Sequence, residues 1–442
     1  MTLIEFMDRT AVENVVGALS LKPDRVIFVC RTQESVNWVE HYRTLFQQHG
    51  LETAVESMLL DFSEIERELP YLVERLENLL KTWENCEFDL TGGEELYLTA
   101  VGILIGKYGD SIQCHRFSLL NEKLIDCDGN GNTGEYCPCD LTIEDLALIC
   151  GGEIVRDPAR GDYTYDWDFN PEFVQDIQTM WWSSMFNPGL WNRQMEVLGE
   201  ISRLSPAKEP LTIAFEPAWA KANLKDNRYC LDTKLLERLA EKKLLKLEEG
   251  EGTVTLSFKN EQVMKCLTLG GQVLELMTAV CLRSFKDARG ERVFHDVRVG
   301  VVLDWDGTDT DGTEKPDPTN EIDVIAMKGA VPVLVSCKNG SFKADELYKV
   351  NAVAERFGGD CAKTVLVSSW VSLNQQNVNF EAMDTYELEK YRLRRRAEAM
   401  DIRLISSKDI FNGARNDRSL NMTLTGKIRS RWYSRIKDVL PK

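Results

Sequence analysis

Residues 321–338 read EIDVIAMKGAVPVLVSCK, a stretch that brings an aspartate and a lysine within reach of each other. Two short apolar runs, 322–326 and 331–335, flank Met327-Lys328-Gly329-Ala330, and this pattern predicts a β-hairpin. Gly329 supplies the positive φ that a tight two-residue turn needs. With Lys328-Gly329 as the turn, Asp323 falls on the same face as Ser336 and Lys338, because side chains alternate and paired residues share a face. An acid and a lysine on one face, beside buried strands, make a place to hold a divalent cation against a phosphate.

The neighbouring segments supply what such a hairpin needs. Residues 272–285 predict a helix carrying Glu275, and 298–305 an alternating strand. Residues 304–318 read as an acidic, solvated loop, 344–356 as an amphipathic helix stopped at Gly358-Gly359, and 364–368 as a last buried strand. This αβββαβ order, with Glu275, Asp323 and Lys338, resembles the PD-(D/E)xK nuclease superfamily. There a helix supplies a Glu, one strand an Asp, and the next strand the pair (D/E)-x-K. The acid of that pair is Ser336 here, and Glu321, Glu346 or a water is left to stand in. The resemblance implies a restriction-endonuclease-like domain in which Glu275, Asp323 and a backbone carbonyl near Cys337 hold Mg²⁺ or Mn²⁺. It also implies that Lys338 orients the attacking water or stabilises charge.

Upstream, residues 1–150 alternate strands and helices. Strands are predicted at 3–7, 26–30, 53–58 and 88–90, and helices at 10–20, 35–48, 63–83 and 94–107. A hairpin of 113–118 and 123–126 around Asn121-Glu122 follows. Such a succession predicts a mostly parallel sheet covered on both faces, with ligands bound beyond the strands' carboxyl ends. Three of those ends are polar or glycine-rich: Asp8-Arg9-Thr10, Arg31-Thr32-Gln33 and Thr91-Gly92-Gly93. Amides at glycine turns and helix N-termini bind phosphate. No GxGxxG or GxxxxGK[ST] is present, which disfavours a dinucleotide enzyme or NTPase.

Through LIEFMDRTAVENVVGAL, DRVIFVCRT and FDLTGGEELYLTAVG this half resembles a CARF domain, the CRISPR-associated Rossmann-like fold that binds cyclic oligoadenylates. A CARF half followed by a PD-(D/E)xK half matches the CRISPR ancillary nucleases. The resemblance implies an α/β chain that forms a homodimer, binds cyclic tetra-adenylate as an allosteric activator, and cleaves DNA or RNA in type III CRISPR antiviral defence. The ring would sit on Asp8, Arg9, Thr10, Arg31, Thr32, Thr91, Gly92 and Gly93. An alternative keeps the same domains as a nucleic-acid-binding regulator whose nuclease fold is inactive, and Ser336 in the acid's place is its support.

Between the two halves, residues 151–204 are aromatic and punctuated by proline, and read as a linker with one or two packed helices. Residues 205–268 read as a small winged-helix-like connector. Its helix is 233–241, and a Gly250-Glu251-Gly252 turn joins two strands like a wing. The remainder, 269–442, is the expected nuclease domain with a basic tail. A length of 442 residues suits two or three domains. The net charge of −18 argues against non-specific nucleic-acid binding by the whole surface. Residues 390–442, however, hold 15 Lys and Arg against 5 Asp and Glu, a local +10 that can neutralise phosphates. No long apolar run or signal-peptide pattern appears, so a cytoplasmic protein without membrane association is expected.

Three other constellations are set aside on spacing. Cys127, Cys137, Cys139 and Cys150 lack paired CxxC knuckles, so zinc is not expected. The stretch from Asp126 to Gly131 lacks the closing Glu of a calcium loop. Arg289 and His295 have the R-x5-H spacing of HEPN ribonucleases but fall on turn and strand rather than helix.

Overall fold

The computed structural model describes residues 1–63, 67–127, 134–185, 187–205, 209–224, 231–306, 319–371 and 384–406. Its first sheet arises from strict alternation of apolar strands and helices. The elements are β1 (Thr2–Phe6), α1 (Glu13–Leu21), β2 (Arg25–Cys30), α2 (Gln33–Gln48), β3 (Ala54–Leu59) and α3 (Glu68–Thr82). They continue with β4 (Cys86–Asp89), α4 (Glu95–Tyr108), β5 (Gln113–Ser118), β6 (Lys123–Asp126) and β7 (Glu135–Tyr136). The strand order is β3-β2-β1-β4-β5-β6-β7, with the first five parallel. Helix α1 begins at residue 13 rather than 10, because side chains hold the preceding turn. Asp8 Oδ1 accepts from the Thr10 amide at 2.9 Å, and Asn14 Oδ1 accepts from the Asp8 amide at 2.7 Å.

Then follow α5 (Ile143–Ile149), β8 (Glu153–Ile154), α6 (Pro171–Met185) and α7 (Pro188–Leu204). A three-stranded sheet combines β9 (Thr212–Phe215), β10 (Leu245–Glu249) and β11 (Val254–Phe258). Around it lie α8 (Pro217–Asn223), α9 (Thr233–Glu241) and α10 (Glu261–Thr268), and β10 pairs antiparallel with β11.

The last sheet is built from α11 (Gln272–Arg283), β12 (Asp296–Asp304), β13 (Thr319–Lys328), β14 (Val331–Lys338), α12 (Asp345–Gly358), β15 (Lys363–Ser368), α13 (Thr385–Ala399) and β16 (Arg403–Ile405). Its order is β16-β15-β14-β13-β12-β8, so residues 153–154 of the aromatic segment supply its outer strand. The chain is thus a mixed α/β protein.

Two expectations are corrected here. The β13–β14 turn is Gly329-Ala330, because Lys328 pairs with Val331. Gly329 takes a φ of +57° at the first turn position, as a II′ turn requires. The register therefore moves by two residues, which leaves every side chain on its expected face. Asp304 is not part of a solvated loop. It is fully buried and paired with Arg160 at 2.7 Å, which neutralises its charge in the interior. Asp309, Asp311 and the basic residues Arg429, Arg431, Arg435 and Lys437 lie outside the described residues.

One apolar core joins the first and last sheets. It runs from Val12, Val15 and Phe28 through Met327 and Leu334 to Phe357. A second core covers the other face of the last sheet with α11, α6, α7 and the small sheet. At the seam, a Cβ on Gly359, whose φ is +52°, would stand 2.6 Å from Thr10 Oγ1. Beside it the Cys361 thiol donates to Glu13 Oε1 at 3.9 Å. The turn between α12 and β15 thus rests on the loop after β1.

Candidate functional site

The hairpin does bring its acid and lysine together. In the β13–β14 ladder Val324 pairs with Val335, which puts Asp323 across from Ser336. Asp323 Oδ2 accepts from the Cys337 amide at 2.6 Å and from the Ser336 hydroxyl at 3.2 Å, and Lys338 Nζ stands 3.5 Å away. On Asp323's other side lies Gly300 of β12, between the pairs Val299–Val324 and Val301–Ile322. Gly300 has a φ of +60°, and strand alternation breaks there. Val297, Val299 and Val324 belong to the core under α11, whereas Val301, Leu303 and Ile322 belong to the opposite core. Asp323 sits at this reversal, where both layers can be reached.

Helix α11 brings Glu275 from one layer. The Cys337 thiol meets the Thr278 hydroxyl at 3.6 Å, which fixes α11 against β14, and Gln272 Nε2 donates to Glu275 Oε2 at 2.9 Å. Burial pushes the Glu275 carboxyl well above the usual range, and the negative charges of Asp323 and Glu321 push it the same way. Helix α12 brings Glu346 from the other layer, with Oε2 3.1 Å from Lys338 Nζ and Oε1 3.0 Å from Lys349 Nζ. Burial works against the Lys338 ammonium, but Asp323 and Glu346 outweigh it and the lysine holds its proton more tightly than in water. Burial likewise drives the Cys337 thiol well above its ordinary value, so it is no nucleophile.

Among the described residues no three His, Cys, Asp or Glu side chains are arranged to enclose a metal ion. The donors at hand are the Asp323 and Glu275 carboxylates and the backbone around Cys337. Hard oxygens of this number suit Mg²⁺ or Mn²⁺, which keep several waters and need only one or two carboxylates. The mutual repulsion of Glu275, Asp323 and Glu321 is what a cation relieves, so the donor set fits.

Several residues at this site escaped the sequence reading. Gly300 could have been found as a glycine inside an alternating strand. Asn339, next to Lys338, exchanges hydrogen bonds with Asn192 of α7 at 2.6 and 2.8 Å. One turn further along α7, Glu196 packs on Gly270 at the foot of α11. Nothing local in the sequence marks either.

At the other end of the chain the three strand ends also converge. Asp8 Oδ2 accepts from the Gly93 amide at 3.0 Å, which ties the first turn to the third. A Cβ on Gly93, at φ +102°, would lie 2.8 Å from Phe6 Cβ, and one on Gly92 would lie 3.0 Å from Asp8 Cβ. Gly93 therefore demands glycine, and at Gly92 a side chain fits only if Asp8 gives way. Thr91 is occupied structurally: its amide donates to Asp89 Oδ1 at 2.7 Å, and its hydroxyl accepts from the Phe117 amide at 2.7 Å. Thr32 caps α2 through the Ser35 amide at 3.1 Å. Arg31 bridges Glu68 at 3.2 Å and also Glu94, over the Phe62 ring, and Arg9 is exposed. Thr10 faces Gly359 rather than open space. Glu13, unnoticed in the sequence, stands beside Gly92, and burial with the charges of Asp8 and Asp360 pushes its carboxyl up to about 7. Arg289 and His295 are not brought together: Arg289 pairs with Asp287 at 2.9 Å, and His295 contacts the Leu141 carbonyl at 2.8 Å.

No protein-family model matches the chain, and no curated protein matches it. Solved structures do. Protein VC1899 from Vibrio cholerae superposes with a TM-score of 0.69 at 16% identity, over 98% of each chain. Can2 from Sulfobacillus thermosulfidooxidans, solved in complex with cyclic tetra-adenylate, superposes with a TM-score of 0.64 at 13% identity, over 100% of this chain and 99% of that one. The fold is therefore shared from end to end with both.

Proposed function

We propose that the chain is a cyclic-oligoadenylate-controlled, metal-dependent nuclease of type III CRISPR defence, with cyclic tetra-adenylate as its activator. In this reading residues 1–150 form the ring-binding domain, 151–204 a linker, 205–268 a winged-helix-like connector and 269–442 the hydrolytic domain. The observation that carries it is the convergence of Glu275, Asp323 and Lys338 from three elements onto one sheet position. Asp323 and Glu275 hold the cation, with the Cys337 carbonyl as a further donor. When bound, a divalent ion lowers the pKa of water and neutralises a scissile phosphate. Lys338 stabilises the charge that develops on that phosphate, and Glu346 aims the lysine.

Ring binding is assigned to the Asp8–Thr10, Arg31–Thr32 and Thr91–Gly93 ends. The glycine backbone there can approach phosphates, and a fold shared with a protein that binds such a ring supports the assignment. A symmetric ring favours two chains about a two-fold axis. Helix α4 runs directly from the glycine turn and leaves Leu98 and Ile103 about two-fifths exposed, with open space at Gly102 and Gly106. This face suits a second copy of the chain.

The alternative, an inactive nuclease fold acting as a regulator, is favoured by Ser336 in the place of the acid. Incubation with cyclic tetra-adenylate, Mn²⁺ and labelled DNA or RNA separates the two. Ring-dependent cleavage, lost in Asp323→Asn and uncoupled from the ring in Gly92→Val, is the expected result. Absence of turnover on both nucleic acids in the parent protein would leave the regulator.

A further inference from the structure

Three buried titratable side chains stand in one row across β1, β4 and β5, far from the hairpin. The ladders pair Ile4 with Phe88 and Asp89 with His115, so Glu5, Asp89 and His115 are lateral neighbours in the sheet. None is more than 1% exposed. Helix α1 lies directly on them: a Cβ on Gly17 would overlap Asp89 Oδ2 and stand 3.0 Å from Glu5 Oε1. His115 Nδ1 is 2.6 Å from Glu87 Oε1, and its Nε2 is 3.4 Å from Asp89 Oδ2. Glu5 Oε1, Asp89 Oδ2 and His115 Nε2 find no closer hydrogen-bond partner among the described residues. Glu13 of α1 adds its charge to the row, and Asp126 of β6, exposed, lies across from His115. Carboxylates crowded around one buried imidazole must be neutralised by protons. Burial pushes the Glu5 carboxyl well above the usual range, and the charge of Asp89 pushes it the same way. Burial works against the His115 imidazolium, but Asp89 and Glu87 outweigh it and raise its pKa to about 9. Glu5 and His115 thus each have a proton to donate to Asp89.

Asp89 divides its two oxygens between this row and the turn that follows β4. Oδ2 meets the row, while Oδ1 accepts from the Thr91 amide at 2.7 Å and from the Thr91 hydroxyl. We propose that Glu5 and His115 are positioning residues for cyclic-oligoadenylate binding, acting through Asp89 on the Thr91-Gly92-Gly93 turn. The inference rests on the assignment of the ring to that turn and adds what holds the turn in shape. Donors on the Oδ2 side keep the Asp89 carboxylate in one orientation, so that Oδ1 fixes Thr91 and, through it, the amides of Gly92 and Gly93. Without them the carboxylate is repelled by Glu87 and Glu5 and loses that orientation. The row is buried, so it acts on a ring only through Asp89.

The test is calorimetry of cyclic tetra-adenylate on the full chain between about pH 8 and 10, a window above the titration of Glu13 at about 7. In the parent, affinity should fall by about fivefold or more across this window as His115 loses its proton and Asp89 its donor. His115→Gln should bind weakly at the lower pH already and show no such fall. Glu5→Leu, which keeps the volume without a donor, should weaken the ring by about tenfold. Glu5→Gln, whose amide still donates, should bind as the parent does. A flat profile in the parent overturns the inference and leaves the ring assignment standing, and this measurement needs no variant to fold. A fall that persists in His115→Gln also overturns it, as does a Glu5→Gln that binds as weakly as Glu5→Leu, since packing alone would then be at work. A parent that binds no ring at any pH instead overturns the ring assignment, and the inference with it.

Discussion

Lys338 stands between two carboxylates, Glu346 at 3.1 Å and Asp323 at 3.5 Å, which share its ammonium. Removing the lysine and removing its guide should therefore differ in size. Lys338→Ala is expected to lower single-turnover cleavage by about a hundredfold or more, as loss of a charge-stabilising group does. Glu346→Gln leaves Asp323 to hold the lysine, so a fall of about tenfold is expected, with substrate affinity unchanged. Equal losses in the two variants would mean that Glu346 takes part directly. At this scale the sequence was legible wherever strand parity decides, as for Asp323 and Lys338. It was not legible where the partner comes from afar: Asn192 and Asn339 lie 147 residues apart, and only the packed α7 joins them.

The loop between β1 and α1 shows how an element can be read nearly right. Its alternation and apolar face locate both elements. The helix start is then decided by Asp8 and Asn14 bonding to backbone, a competition that periodicity does not report. The same holds for the hairpin, whose strands were clear while Gly329 and Ala330 chose the turn. Glu13, the first residue of α1, offers a pH test. Its carboxyl is raised to about 7 from 4.5, so between those values the folded chain binds more protons than the unfolded one. Stability therefore falls as pH rises through that window and levels off above it. Glu13→Gln should raise the melting temperature above pH 7, and the gain should shrink to nothing as pH falls toward 4.5. Thermal unfolding at several pH values checks this, and no gain above pH 7 would place Glu13 in solvent.

Over the whole molecule, the succession of strands and helices revealed two α/β sheets in their order. It did not reveal that one core is shared between them, because contacts such as Glu13 with Cys361 span 348 residues. Nor did it reveal that residues 153–154 complete the far sheet, since two residues carry no period. The homodimer proposed above rests on the α4 face, where Leu98 and Ile103 are exposed. Ile103→Glu places a charge in that face and is expected to shift the species from dimer to monomer in analytical ultracentrifugation, with ring-dependent cleavage lost in parallel. A variant that sediments as the parent does would put the two-fold axis elsewhere.

The turn between α12 and β15 touches Thr10 and Glu13, while the far ends of that same helix and strand hold Glu346 and Ser368 beside Lys338. A ring that alters the first contact to favour a strand at the second must itself be held harder once the strand is there, by the same free energy. On the proposed function, such a protein would be a coincidence detector with memory, releasing the ring slowest while nucleic acid is held beside Lys338 and resetting when it leaves. Ring dissociation, timed with and without uncleavable substrate, reads that memory directly.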